Sequence, residues 1–233
     1  MSIAKIAILG DFNPHHYTLN ILNESIGHIK KHLQQNIQFN WIDTDVFNAE
    51  DIFGNQAYKG LWIAPGSPYK DFDNVLKVIE YARLKNIPTL GNCGGFQHML
   101  IEFARNVCSI QAADHEESNP ETTEAIIHKL SCSLKGGQEE LQIIGKNSLM
   151  FSIIQKEIFI GKFNCSYGLN KKYIPVLQNN GLIFTTKSDS GEYRSFEIKN
   201  HPFYMGTLFQ PALSSTQENP DPIIISFIKK SLE

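Results

Sequence analysis

The sequence predicts an α/β fold with a mostly parallel central sheet and a β-rich second half. Three observations carry that expectation. Short apolar runs alternate with amphipathic stretches through the first half, several of those runs stop at glycine or proline, and the second half carries closely spaced strand and turn signals.

Ala4–Leu9 is a short apolar run ending at Gly10, the pattern of a buried strand. Asp11-Phe12-Asn13-Pro14 follows as a turn-rich loop. Leu19, Leu22, Ile26, Ile29 and Leu33 recur at spacings of three and four, which predicts an amphipathic helix. Ile37–Ile42 alternates apolar positions and reads as a second strand, and 61–64 as a third, stopped by Pro65-Gly66. Phe72, Val75, Leu76, Ile79 and Ala82 mark another helix, 88–90 a short strand, and Phe96, Met99, Leu100, Phe103 and Val107 a third helix. Strand and helix in this order imply right-handed crossovers and parallel pairing. Ligands of such sheets bind beyond the carboxyl ends of the strands. The loops at 10–16, 65–71 and 91–95 are therefore expected together on one edge.

Downstream, strands are expected near 141–144, 157–163, 181–187, 193–199 and 204–209. Asn179-Asn180-Gly181 and Ser188-Asp189-Ser190-Gly191 are turn signals, the second inside a hairpin. A closing helix over 221–232 presents Ile224, Phe227, Ile228 and Leu232 on one face. The polar stretch 114–137 reads as a loop-rich excursion. With no repeat, linker or low-complexity tract, a single domain over 1–233 is expected.

Composition removes several function classes. Hydrophobic residues are 42% of the chain, enough for a full core. A net charge of -3 gives no basic footprint, so no nucleic-acid partner is expected. No stretch approaches the roughly 18 apolar residues of a membrane span, and MSIAKIAILGDF is too short in its apolar part for a signal peptide. A cytoplasmic protein without membrane contact is the expectation, with free thiols at Cys93, Cys108, Cys132 and Cys165. None of these forms a CxxC pair, so neither a zinc site nor any other metal or cofactor is expected.

Chemistry concentrates at Gly91-Asn92-Cys93-Gly94-Gly95, a strand-to-helix junction with the spacing of a nucleophile elbow. Small neighbours let strand and helix pass closely, the helix N-terminus favours thiolate, and backbone amides at the turn can hold an oxyanion. The same pentapeptide also reads as a tight glycine turn around a small buried cysteine.

GNCGGFQHMLIEFARNV, from Gly91 to Val107, resembles the elbow and helix of the glutaminase domain of CTP synthase, a class I glutamine amidotransferase. Further blocks follow in the same order. The stretch from Asp11 to His28 resembles that domain's first loop and helix. Ile63-Ala64-Pro65-Gly66-Ser67 resembles the oxyanion turn, Ala113 to Glu117 with Asn119 to Thr122 the substrate-side loop, and HPFYMGTLFQPALSS, from His201 to Ser215, the segment carrying the rest of the triad. The resemblance implies a three-layer flavodoxin-like fold, Cys93 as nucleophile, Gly66, Ser67 and Gly94 around the oxyanion, and Gln97, Glu117, Ser166 and Tyr167 at the substrate.

The departures carry as much information. Where the family reads F-H-P-E, this chain reads Phe209-Gln210-Pro211-Ala212, so the base position is Gln210 and its orienting acid is Ala212. A carboxamide cannot accept and return a proton near pH 7. Ser166 stands where the resemblance implies an arginine for the glutamine carboxylate, and a hydroxyl does not replace a bidentate clamp. No GxxxxGK[ST] phosphate loop is present, so the likeness is to the glutaminase part alone, as a stand-alone chain.

Four histidines could stand in for the missing base. His98 lies about 140° around the helix from Cys93 at 100° per residue. His115, on the loop beside the expected pocket, is the better-placed alternative. His15 and His16 follow the first strand. Each also reads as a surface or hydrogen-bonded histidine, and His201 as structural. Cys165 reads either as a partner for Cys93 under oxidation or as a buried thiol, with the thiol favoured; Cys108 and Cys132 read as structural. The functional expectation is a cysteine-dependent amide hydrolase with an altered small-molecule amide or amino-acid substrate. The alternatives are an inactive relative binding such a ligand or a protein partner, and a glutaminase subunit serving a separate synthetase.

Overall fold

The computed structural model describes residues 3–55 and 58–233. Among these, nine strands form one sheet. Its first half is parallel. β1 (Ala4–Leu9) is flanked by β2 (Ile37–Ile42) and β3 (Gly60–Ile63), and β4 (Thr89–Asn92) lies between β3 and β12 (Tyr204–Thr207). Its second half is antiparallel, through β11 (Tyr193–Ile198), β10 (Leu182–Ser188), β7 (Gln138–Ile143) and β8 (Ile158–Lys162). β12 is thus the seam between the two pairing modes.

The helices bury the faces their periodicity predicts. α1 (Tyr17–Leu33) buries Leu19, Leu22, Ile26 and Ile29, carries Lys30, Lys31 and His32 in its last turn, and ends at Gln34 in the left-handed region. α2 (Phe72–Leu84) starts under an Asp71 cap, whose carboxylate accepts from Asn74 N at 2.8 Å. α3 (Gly94–Asn106) is buried on nearly every side, because it packs on α2, on β3, β4 and β12, and on a second, smaller sheet. The last helix, Pro222–Leu232, is capped by Asp221 and packs on α1 and β3. The result is the three-layer α/β arrangement that the sequence implies.

The segment 114–137 is not a plain loop excursion. Ala113–His115 is strand β5 and Glu124–Lys129 is β6; with β9 (Tyr167–Leu169) they make a three-stranded sheet beside α3. Two of its strands are only three residues long, too short for an alternating pattern to register, and His115 and Gly168 add no strand signal. Two short helices, Leu149–Ile154 and Ile174–Asn179, also lie outside the sequence expectation. The hairpin at 188–191 is present, with Gly191 N donating to Ser188 O at 2.9 Å.

The elbow depends on close contact between β3 and α3. A Cβ on Gly95 would stand 3.0 Å from Ile63 Cβ and press on the Ile63 carbonyl, which is backbone and cannot give way. Gly95→Ala is therefore expected to lower stability by about 1–3 kcal/mol in urea unfolding. An unchanged midpoint would show that strand and helix have slack there.

Candidate active site

Cys93 occupies the end of β4 with φ 51° and ψ −106°, between the strand and α3. Its N–H donates to Thr207 O at 2.9 Å, and its own carbonyl accepts from Gln97 N at 3.1 Å. Beneath it, Trp62 Nε1 donates to Asn92 Oδ1 at 2.6 Å and Asn92 Nδ2 donates to Thr207 Oγ1 at 2.8 Å. These bonds tie β3, β4 and β12 together under the sulfur. Gly66, at φ 108°, and Ser67 form the neighbouring turn. A Cβ on Gly94 would stand 3.0 Å from Ser67 N, so the two predicted oxyanion segments meet.

A pocket of about 140 Å³ opens over Cys93, with Pro65, Gly66, Ser67 and His16 among its lining residues. The three loops expected on one sheet edge do converge. Gln210 also lines the pocket; it is 2% exposed, its backbone N–H donates to Lys162 O at 2.8 Å, and its side-chain Nε2 has no partner. Ala212 is buried in the short turn that follows.

Cys165 takes the less favoured of its two sequence readings: its sulfur meets that of Cys93 across the pocket, with the Cα atoms 6.3 Å apart. Cys108 and Cys132 are free. Cys132 is exposed, so it has no core to support, contrary to the structural reading.

His115 is not at the pocket wall, where the sequence reading of an alternative base would need it. It is fully buried behind Gln97. Its Nδ1 accepts from Glu117 N at 3.1 Å, which leaves the proton on Nε2, where it faces Gln97 Oε1 at 3.1 Å. Burial pushes its pKa down to about 3, with His98 adding to the shift. His98 is equally enclosed, stacked edge-on by Tyr69 and Phe72, with Nδ1 2.8 Å from Gly94 O and a pKa lowered by burial to about 4. Both are neutral packing groups. His201 is likewise held neutral by burial, at about 4, which fits its structural reading. His15 is exposed and off the pocket wall.

Gln97 lines the pocket, as expected, and its amide is also held by the protein. Its Oε1 accepts from Ser67 Oγ at 3.3 Å and faces His115, and its Nε2 donates to Tyr167 O at 2.9 Å. It braces the oxyanion turn, α3 and both short strands of the small sheet. Glu117, Ser166 and Tyr167 line the pocket beside it. Burial raises the Glu117 pKa, while Lys135 and a hydrogen bond from Ser67 pull it back. The Tyr167 hydroxyl is raised by desolvation and by Glu117 and Glu116. Ser166 Oγ lies 3.0 Å from Ser133 Oγ. Sequence reasoning missed Lys135, Asn164 and Thr18 on the wall. The first sits in the stretch read as loop, and none belongs to a motif with a spacing signal. Thr18 Oγ1 lies 3.0 Å from His16 Nδ1.

The strand-to-helix turn at Cys93, the adjoining Gly66–Ser67 turn and the three-layer sheet point to one class. The chain belongs to the class I glutamine amidotransferases, since the model of that family, glutamine amidotransferase class-I, matches residues 20–230. Within the class it is similar to CTP synthases. The enzyme of Borreliella burgdorferi is 31% identical over 239 residues, covering 97% of this chain and 44% of that protein. The enzyme of Saccharolobus solfataricus is 27% identical over 239 residues, again 97% of this chain and 44% of that protein. The chain thus spans under half the length of these relatives. The glutaminase domain of Trypanosoma brucei CTP synthase, solved with bound acivicin, superposes with a TM-score of 0.84 at 23% identity, covering 98% of this chain and 94% of that one. A glutamine amidotransferase from Thermotoga maritima shares the fold at a TM-score of 0.61 and 11% identity, over the full length of both chains. Among the described residues, no helix is long and apolar enough to cross a membrane.

The buried histidines make the fold acid-sensitive. Between pH 6.5 and about 4 the unfolded chain binds a proton at His98 that the native state refuses. Stability from this group is therefore complete above pH 6.5 and drains away as pH falls through that window. His98→Phe, which keeps the aromatic packing, is expected to flatten the decline in urea stability between pH 7 and pH 4. Equal slopes for the two proteins would remove His98 from the account.

Proposed function

We propose that the pocket is a Cys93-dependent site for small carboxamides, distinct in its proton transfer and substrate preference from a glutaminase. The carrying observation is Cys93 at φ 51° against the Ser67–Gly94 contact, with a pocket open above it. In the reduced protein the sulfur would attack an amide carbonyl, and backbone amides at Ser67 and Gly94 would hold the developing oxyanion. Ammonia would leave and a thioester would remain for water to cleave.

The leaving nitrogen must take a proton. Gln210 and Ala212, at the positions the family resemblance gives to base and acid, cannot supply one. Among the described residues, His16 is the histidine on the pocket wall. With Nδ1 beside Thr18 Oγ1, its Nε2 remains available, and we assign it the proton transfer. Glu117 favours an amino group on the substrate. Ser166 in place of a guanidinium removes the demand for a substrate carboxylate, and exposed Lys135 offers no bidentate fork. An amino-bearing amide without an α-carboxylate fits these groups better than glutamine.

A binding role is the second reading, favoured by the unpartnered Gln210 Nε2 buried at the pocket. The two separate in one assay. Thiol-reduced protein is given a panel of primary carboxamides, glutamine and asparagine included, and ammonia release is followed. Turnover of a small amino-amide, abolished in Cys93→Ala and lowered about 100-fold in His16→Asn, is expected. Glutamate and ammonia from glutamine at comparable rate would favour a glutaminase serving a synthetase. No turnover across the panel, with a ligand-dependent rise in Tm, would favour binding alone.

A further inference from the structure

We propose that Cys93 and Cys165 are a reactive and a resolving thiol, and that the pocket reduces a small hydroperoxide. The inference is independent of the carboxamide reading, because it asks nothing of an amide substrate.

Four features of the pocket converge on it. The two cysteines are 72 residues apart in sequence, yet their Cα atoms lie 6.3 Å apart, inside the range that a disulfide bridges without backbone movement. Both belong to the pocket wall and both are buried, at 7% and 3% exposure, so reagents reach them through the pocket. A resolving cysteine must also be held as a thiol until needed, and Leu208 O, 3.5 Å from the Cys165 sulfur, is positioned to accept its S–H. Lastly, Gln210 sits where the family resemblance places the base. An amide cannot move a proton to and fro, but it can donate a hydrogen bond, and its Nε2 is buried at the pocket with no protein acceptor. An O–O bond needs a donor on its leaving oxygen, and the helix N-terminus behind Cys93 favours the attacking thiolate.

The steps balance. The Cys93 thiolate attacks one peroxide oxygen, the O–O bond breaks, and the other oxygen leaves as alkoxide or hydroxide, which takes up a proton as alcohol or water. Cys93 is now a sulfenic acid. The Cys165 sulfur attacks it, the S–O bond breaks, and water leaves with the Cys165 proton. The peroxide has accepted two electrons from two thiols. An external dithiol returns them by exchange and is itself oxidised to a disulfide.

The test uses the full chain, reduced, desalted and mixed with one equivalent of hydrogen peroxide, followed by intact mass and peptide mapping. Two thiols should be lost, two hydrogens should leave the mass, and Cys93 should appear joined to Cys165, at a rate about ten-fold or more above that of free cysteine. Dithiothreitol should reverse it. Cys165→Ser should stop at a dimedone-reactive sulfenic acid on Cys93. Gln210→Leu, of similar volume, should slow the first step about ten-fold without changing the cross-link. Wild-type Cys93 that reacts no faster than free cysteine, or that ends joined elsewhere or over-oxidised, would overturn the proposal, and that readout needs no variant to fold. A protein inert to every carboxamide still passes this test, and an active amidase whose cysteines never pair fails it.

Discussion

Everything at the site hangs on one backbone conformation, Cys93 at φ 51° and ψ −106°. A non-glycine residue there carries strain of order 1–3 kcal/mol. It persists because the surroundings leave no alternative. The Cys93 N–H is bound to Thr207 O on β12, its carbonyl caps the first turn of α3, and Gly91, Gly94 and Gly95 bring strand, helix and oxyanion turn to backbone contact. The sulfur is thereby lifted off the end of β4 toward the pocket. Parallel pairing of β4 with both β3 and β12 brings Ser67, after β3, and Gln210, after β12, to the wall of the same pocket.

Behind the elbow lies a second layer of constraint. Gln97 spends both ends of its amide on the protein, reaching Ser67, His115 and Tyr167. His115 and His98 fill the space between α3, α2 and the small sheet as neutral rings. The small sheet thus acts as a buttress for the oxyanion turn. The pocket offers a ligand the two sulfurs, one imidazole, an uncommitted amide nitrogen, an exposed carboxylate at Glu117, the Lys135 ammonium and the Ser166 and Tyr167 hydroxyls.

The framework of that arrangement was legible in the residues. Apolar runs at Ala4–Leu9 and Ile37–Ile42, and the three-and-four spacing in α1 to α3, record burial directly, so strands, helices and the shared loop edge follow from them. Gly91 to Gly95 identifies the elbow because close packing forbids other residues there. Pairing across long sequence separation leaves no such trace. The stretch from Lys162 to Tyr167 left Cys165 open between a partner for Cys93 and a buried thiol, and strands of three residues have no period to read. The same limit explains His115. Its position beside the pocket loop was readable, but its burial behind Gln97, off the pocket wall, depends on a sheet that was not.

The central claim is that Cys93 is a positioned, activated thiol without a triad. Competitive alkylation of the reduced protein by iodoacetamide at pH 7 tests it most directly, with exposed Cys132 as the internal standard. Cys93 is 7% exposed, so accessibility alone would make it the slower of the two. The account predicts that Cys93 is labelled about ten-fold faster than Cys132. Labelling of Cys93 slower than Cys132 would contradict it, and would leave the elbow as a tight turn around an inert cysteine.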